Sequence, residues 1–171
     1  MKLLVTLTDD QFVTASEAGF QRALDAIRSK RRDQHRVKSR DEKDHWGDHI
    51  EGAVAEMAVC TIYGFRFSGF QPTGITRLHD AGPLEVRYVK HKGYALLTYP
   101  KDLPHQRLVL CRVKGPRVLL EGWATSQEIN DWGAKIVGNV KGLRPDQLRC
   151  MSTLGYDIIA PRQVDEWGTA D

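Results

Sequence analysis

The sequence predicts a single α/β domain in which helices flank a central β-sheet. Residues 48–63 carry apolar or small side chains at the i, i+3, i+4 and i+7 spacing of a helix, and Gly64 is placed to end it. Residues 107–113 and 117–124 alternate apolar and polar side chains around the turn KGPR, which predicts a β-hairpin. A chain of 171 residues, 41% of them hydrophobic, can form one sizeable core.

Shorter elements are expected towards both ends of the chain. MKLLVTL predicts an edge strand, and Thr14-x-x-Glu17 is a capping-box signature for a helix that extends to about Arg32. Ser126 is expected to cap a short helix that ends at Trp132, and GYDIIAP resembles a late strand. The apolar stripe of the first helix is expected to comprise Phe20, Ala23, Leu24 and Ile27.

An acidic turn followed by a strand, DAGPLEVRYVKHK at residues 80–92, bears most directly on function. Side chains alternate along a strand, so Glu85 and Arg87 point to one face, and a Gly-Pro turn folds Asp80 back beside them. Two carboxylates that share a small volume repel each other, and Mg²⁺ is typically held by one or two carboxylates, waters and substrate phosphates. The segment therefore predicts a divalent metal site. The alternative is an ordinary solvated strand face.

Glu56 is the second acidic feature. It is the only charged side chain between Glu51 and Arg66, on a helix that is apolar on nearly all sides and is therefore expected to be buried. A lone buried carboxylate is costly unless it meets a metal, a cation or hydrogen-bond donors. Glu56 therefore requires a partner that its own helix does not supply. The alternative is that it marks the one solvated position on the helix.

The order of these features resembles the PD-(D/E)XK nuclease superfamily, also called restriction-endonuclease-like. The matching features are a helix with an inward acid (AVAEMAV, Glu56), a turn acid (Asp80), a strand with Glu85-Val86-Arg87, and then the strand YALLTY. The chain is also similar to small nuclease-like proteins encoded by bacteriophages. The resemblance implies a restriction-endonuclease-like core with a mixed central β-sheet flanked by helices.

The resemblance covers residues 48–124, the catalytic-type core of a single nuclease-like domain that spans residues 1–171. Residues 1–47 would then form an N-terminal helix and a basic segment, and residues 125–171 a C-terminal extension. The implied activity is Mg²⁺-dependent (or Mn²⁺-dependent) hydrolysis of DNA phosphodiester bonds. The alternative is a cleavage-deficient nuclease-like fold that acts as a nucleic-acid-binding or host-interacting phage protein.

The resemblance also implies roles for individual residues. Asp80, Glu85 and the Val86 carbonyl would hold the metal, with Glu56 as an additional acid. The chain departs from the family pattern at His79, which replaces a proline, and at Arg87, which stands where the family has a catalytic lysine. Arginine stays charged and cannot act as a general base, so Arg87 would orient water or neutralise phosphate charge. The alternative is that Lys90 or Lys92 reaches back into the metal site. The catalytic set is Asp80, Glu85, Arg87, Lys90 and Glu56.

A basic segment follows the first predicted helix. Residues 28–40, RSKRRDQHRVKSR, contain seven basic residues and one acidic residue, a net of +6, so the chain total of +3 leaves −3 for the remainder. The segment is either a solvated helix end or, in a nuclease, a grip on DNA phosphates through displacement of counterions. The predicted DNA contacts are Arg28, Lys30, Arg31, Arg32, Arg36, Lys38 and Arg40.

Other sequence features concern location and partners. The chain has no run of about 18 or more apolar residues, and its N-terminus becomes acidic too early for a signal peptide. We therefore expect a cytoplasmic protein, in the host-cell cytoplasm if phage-encoded, with no membrane partner. The odd number and wide spacing of Cys60, Cys111 and Cys150 indicate reduced, mostly buried thiols. DNA is the expected partner, and a homodimer is left open.

Overall fold

The structure, a computed structural model, describes residues 2–28, 42–69 and 80–155. In this part of the chain three α-helices, a 3-10 helix (Pro145–Gln147), a helical segment at residues 151–155 and seven strands are assembled into an α/β domain. The elements are, in chain order, β1 (Leu3–Thr6), α1 (Asp9–Arg28), α2 (Glu42–Tyr63), β2 (Leu84–Val89), β3 (Leu96–Thr98), β4 (Arg107–Lys114), β5 (Arg117–Thr125), α3 (Ser126–Trp132), β6 (Ala134–Val137) and β7 (Val140–Leu143). The predicted late strand GYDIIAP falls largely outside the described residues.

The central sheet has the strand order β1-β5-β4-β2. β2 is parallel to β4, whereas β5 is antiparallel to both β4 and β1, so the sheet is mixed. The predicted hairpin is confirmed as β4 and β5, and MKLLVTL contains the edge strand β1. These features confirm a mixed sheet flanked by helices in a single α/β domain. The sheet also positions β2, the acidic strand, at its other edge.

A second, antiparallel sheet has the order β3-β7-β6. YALLTY contributes only the three-residue strand β3, which pairs with β7 and not with β2. The direct neighbour of the acidic strand is β4. Parallel strands need a long connection between them, and here residues 90–106 supply it and include β3 on the way.

The central sheet is the middle of three layers. The buried side chains of β4 show this, because they alternate between two hydrophobic cores on opposite faces of the sheet. Val109 and Cys111 pack with α2, whereas Leu108 and Leu110 pack with β3, β7 and α3. On β2, the residues that face α2 are Leu84 and Val86, as strand alternation predicts. Glu85 and Arg87 are therefore on the face that bears the second sheet.

α2 is confirmed as a buried helix, since all residues from Ala53 to Cys60 are buried. It begins at Glu42, earlier than predicted, and ends before Gly64, whose φ of +69° is a left-handed conformation that glycine adopts without strain. Cys60 and Cys111 are buried and none of the three cysteines is in a disulfide. Within the described residues no helix is long and apolar enough to cross a membrane.

Two helix starts differ from the prediction. α1 is capped by Thr8, which accepts from the Gln11 N–H at 3.3 Å while the Gln11 side chain accepts from the Thr8 N–H at 3.0 Å. Thr14 therefore lies inside the helix. α3 is capped in the same way by Thr125 with Glu128, one residue before the predicted Ser126. Both caps follow the capping-box pattern, which the sequence offers at more than one threonine.

The predicted apolar stripe of α1 is wrong at Phe20 and Ile27, which are exposed, whereas its Ala23 is buried as predicted. The buried face of α1 consists of small residues. A Cβ built on Gly19 would lie 2.4 Å from the Ile50 Cα, so the two helices approach too closely there for any side chain. The residues of α1 that are buried are Ala15, Ala18, Gly19 and Ala23.

We predict that Gly19→Ala destabilises the protein by about 1–3 kcal/mol, because the added methyl forces α1 away from α2. The matched control is Gly47→Ala in α2, where the only atom within 4 Å of the built Cβ is the Lys90 Nζ at 4.0 Å. This control should be neutral or stabilise the helix by up to about 1 kcal/mol. Urea unfolding of the two variants and the wild type measures both effects. Equal stability of Gly19→Ala and the wild type would contradict the close approach.

Candidate functional site

Asp80 lies at a tight turn that returns the chain to β2. The N–H of Ala81 donates to the Leu84 carbonyl at 3.0 Å, and the N–H of Leu84 donates back at 2.9 Å. Gly82 has a φ of +56°, and a Cβ there would lie 2.8 Å from the Phe65 ring. The Asp80 carboxylate accepts from the Val86 N–H at 2.9 Å. The turn thus folds Asp80 back beside the acidic strand, as the Gly-Pro pair predicts.

Glu85 and Arg87 lie on one face of β2 and contact each other. Arg87 Nη1 donates to Glu85 Oε1 at 2.6 Å, and Arg87 Nη2 donates to Asp102 Oδ1 at 3.0 Å. The Gln106 side chain donates to the other Glu85 oxygen at 3.1 Å. The guanidinium is thus held between two carboxylates. Its Nε is buried and has no hydrogen-bond partner among the described residues.

Asp102 belongs to the connection between β3 and β4 and is almost fully buried. Its second oxygen accepts from the Tyr99 N–H at 2.9 Å and from the Thr98 hydroxyl at 3.3 Å. The side chain of Arg87 also lies over the Tyr99 ring, 5.5 Å from its centroid. The connecting segment therefore fixes the guanidinium of the acidic strand.

Glu56 is buried and meets a cation from the neighbouring helix. Arg22 of α1 donates to both Glu56 oxygens, each at 2.6 Å, and its Nε donates to the Gly69 carbonyl at 2.9 Å. This bidentate pair supplies the partner that the sequence requires for Glu56. Asp80 also acts electrostatically on both members of the pair. Glu56 therefore belongs to the same acidic cluster as Asp80.

The acidic cluster, defined as Glu56, Asp80, Glu85 and Asp102, links four carboxylates through electrostatic interactions. Among the described residues, Arg22 and Arg87 are bases that pair with members of this cluster. Burial raises the pKa of Glu56 to about 7, an effect that Arg22 opposes and Asp80 reinforces. Burial and the neighbouring Asp80 also raise the pKa of Glu85 to about 7. Both carboxyls are thus poorly compensated at neutral pH.

The carboxylate oxygens of this cluster have the chemistry of a Mg²⁺ or Mn²⁺ site. Among the residues that the structure describes, however, no three histidine, cysteine or acidic side chains converge as a metal-binding group. Mg²⁺ does not require such a group, because it keeps several waters and takes one or two carboxylates. The residues are therefore compatible with the predicted ion.

Lys90 lies elsewhere. Its Nζ is 3.1 Å from Asp48 Oδ1 and 3.7 Å from Glu51 Oε2, both on α2. The Tyr88 hydroxyl donates to the same Asp48 oxygen at 2.7 Å. These contacts tie the end of β2 to α2. Lys90 thus has two acidic partners outside the acidic cluster, and its role in catalysis stays a prediction.

Of the predicted DNA contacts, only Arg28 is described, at the exposed end of α1. Lys30, Arg31, Arg32, Arg36, Lys38 and Arg40 lie outside the described residues, as does His79. The sequence did not point to Arg22, Asp102 or Gln106. Arg22 could have been found only as a base about one turn from the centre of α1, the helix that packs against α2. No sequence pattern near Asp102 or Gln106 predicts their contacts with Arg87 and Glu85, because both residues lie on the long connection that leads from β2 to β4.

The chain matches no protein-family model, and no curated protein or solved structure matches it either. The family resemblance therefore rests only on the motifs that the sequence shows within residues 48–124.

Burial of Glu56 predicts a pH dependence that one substitution removes. With its pKa raised from 4.5 to about 7, folded Glu56 holds a proton that the unfolded chain has lost between these values. Its contribution to the free energy of unfolding therefore falls as the pH rises through this window. Glu56→Gln does not titrate, so its stability relative to the wild type should rise from pH 4.5 to 7 by up to about 1.4 kcal/mol per pH unit.

Urea unfolding at each pH, in EDTA so that no metal contributes, measures this difference. The control is Glu17→Gln, which alters an exposed carboxylate of α1 and should show no comparable divergence from the wild type. A constant difference between Glu56→Gln and the wild type across the window would contradict the raised pKa.

Proposed function

We propose that the protein is a Mg²⁺-dependent nuclease of the restriction-endonuclease-like type that hydrolyses DNA phosphodiester bonds. The observation that carries the proposal is the acidic cluster around the start of β2, where burial and neighbouring carboxylates raise the pKa of Glu56 and of Glu85 and Arg87 contacts Glu85. Clusters of perturbed carboxyls are typical of functional sites. The order of the residues along the chain, with its resemblance to the PD-(D/E)XK superfamily, supports the same activity.

In this proposal Asp80, Glu85 and the Val86 carbonyl hold the ion, and Glu56 supports it from α2. The ion, when bound, supplies a water of lowered pKa and offsets charge on the phosphodiester. Arg87 remains charged at any accessible pH and neutralises the scissile phosphate. Its buried Nε–H, which has no acceptor among the described residues, supports this role because an anionic oxygen would satisfy it.

The alternative is a nuclease-like fold that has lost cleavage and binds nucleic acid or a host protein. Three contacts favour it. Arg87 replaces a lysine and is engaged by Glu85 and Asp102, Arg22 already neutralises Glu56, and Lys90 is paired on α2. A site in which the bases are all engaged by protein carboxylates has less need of a metal. The nuclease requires that metal and substrate reorganise these ion pairs, whereas the cleavage-deficient fold does not.

Asp80→Asn and Glu85→Gln should each reduce metal-dependent cleavage to background. Each substitution removes one negative charge from the proposed metal ligands while the side-chain volume stays nearly constant. The assay incubates labelled single-stranded, double-stranded and branched DNA with Mg²⁺, Mn²⁺ or EDTA. Calorimetry with Mn²⁺ alone should show weaker binding in both variants. The matched control is Asp146→Asn, which alters an exposed carboxylate far from the cluster in sequence and should change neither result.

Three results separate the functions. Metal-dependent cleavage by the wild type that is lost in both variants supports the proposed nuclease activity. DNA binding by the wild type without cleavage in any metal supports the cleavage-deficient fold. Unchanged Mn²⁺ affinity in both variants would rule out the acidic cluster as the metal site, whatever the activity.

The basic segment is proposed to hold the DNA backbone. Replacing Arg31, Arg32, Arg36 and Lys38 with glutamine should weaken DNA binding and reduce the slope of log K against log salt by about 3 to 4, since each phosphate contact contributes about 0.9 on duplex DNA. Sequence preference should hardly change, because phosphate contacts do not read bases.

A control variant with the same loss of charge keeps this test specific. Its four substitutions to glutamine alter exposed bases on other elements, namely Lys114, Arg117, Lys135 and Arg144. The salt slope of this control should stay close to that of the wild type. If the slope of the basic-segment variant is unaltered, the segment is a solvated helix end and DNA binding must be sought near Lys90, Lys92 and Lys101.

A further inference from the structure

α1 has an outward stripe of apolar side chains in addition to the small residues that pack on α2. Val13, Phe20 and Ile27 are 53%, 47% and 51% exposed. They follow one another at intervals of seven residues, the spacing that keeps side chains on one line of a helix that pairs with another helix. The outward stripe, defined by these three residues, is therefore a surface suited to a second helix.

We propose that the outward stripe is the contact surface of a homodimer in which two α1 helices pack antiparallel about a two-fold axis near Phe20. The equal spacing makes the stripe complementary to itself. Val13 of one copy meets Ile27 of the other, and the two Phe20 side chains meet at the axis. A two-fold interface requires this self-complementarity, because the same surface serves both partners.

The charges at the two ends of α1 select the antiparallel orientation. Asp9 and Asp10 form an exposed acidic first turn, whereas the last turn carries Arg28, an exposed base that lies 3.9 Å from Asp25. Three further bases, Lys30, Arg31 and Arg32, follow Arg28 in the sequence. An antiparallel pair brings the acidic turn of each copy near Arg28 of the other, and it places the N-terminal end of each helix dipole beside the C-terminal end of the other. A parallel pair would bring the two acidic turns together. The second copy is therefore the occupant whose charges match the ends of the stripe.

Neighbouring residues add to the apolar surface of the stripe. The Trp46 ring of α2 lies 5.2 Å from the Phe20 ring and adds apolar surface on one side. The sequence that connects α1 to α2, residues 29–41, contains only one apolar residue, Val37. A segment of this composition has little apolar area to offer the stripe. A second α1 helix has the same three apolar side chains to offer in return.

The first test is the mass of the full chain by sedimentation across low to high micromolar concentrations. The wild type should shift from monomer to dimer as the concentration rises. Phe20→Glu, and independently Ile27→Glu, should remain monomeric with an unchanged circular dichroism spectrum, because each places charges along the stripe. The control is Val137→Glu, which alters a 68% exposed residue on β6 and should dimerise like the wild type.

The second test is the orientation of the pair, measured by disulfide formation between added cysteines in a Cys150→Ser background. Cys60 and Cys111 are buried and should not interfere. Phe20→Cys should cross-link to itself, and Val13→Cys should cross-link to Ile27→Cys when the two are mixed. Neither Val13→Cys nor Ile27→Cys should cross-link to itself.

Either of two results overturns the proposal. A wild type that is monomeric at every concentration shows that the stripe does not pair with itself. A dimer that survives both glutamate variants, or that Val137→Glu disrupts in their place, shows that the chain dimerises through another surface. Self-cross-linking of Val13→Cys would overturn the antiparallel orientation.

Discussion

The bidentate pair between Arg22 and Glu56 is the interaction on which the acidic cluster depends. A buried carboxylate close to Asp80 and Glu85 would be strongly unfavourable without a cation, and residues 52–65 around Glu56 contain none. Arg22 reaches Glu56 only because α1 lies directly against α2 at Gly19. The small residues of α1 thus do more than fill the core. They set the distance between the helices at which a guanidinium can meet a carboxylate across them.

The three-layer arrangement divides the acidic cluster between the two faces of one edge strand. Glu56 approaches from the helical layer, whereas Glu85 lies on the face shared with the second sheet and Asp102 arrives from the connection to β4. Asp80 precedes the strand and accepts from its backbone. No single element supplies these four carboxylates. Their electrostatic coupling around β2 is a property of the tertiary structure.

Local patterns predicted the elements better than the contacts between them. The buried helix, the hairpin, the edge strand and the return of Asp80 follow from periodicity and turn chemistry, which depend on neighbours in sequence. The face of α1 that packs on α2 did not follow, because hydrophobicity favoured Phe20 and Ile27 whereas close helix packing requires Ala18 and Gly19. Similarly, the sequence predicted that Glu56 needs a partner, but residue type alone does not distinguish Arg22 from Arg28, the other base of α1.

The parallel pairing of β2 with β4 has a consequence for the order in which the molecule assembles. β4 and β5 are joined by a two-residue turn at Gly115 and Pro116, whereas β2 reaches β4 only after residues 90–106 have closed into a loop. Closing a longer loop costs more chain entropy, so we expect the hairpin to form early and the acidic strand to dock late. Edge elements that dock late can open locally before global unfolding. We therefore expect Glu85, on this edge strand, to become exposed by local opening, and a ligand bound there would stabilise the strand against that opening.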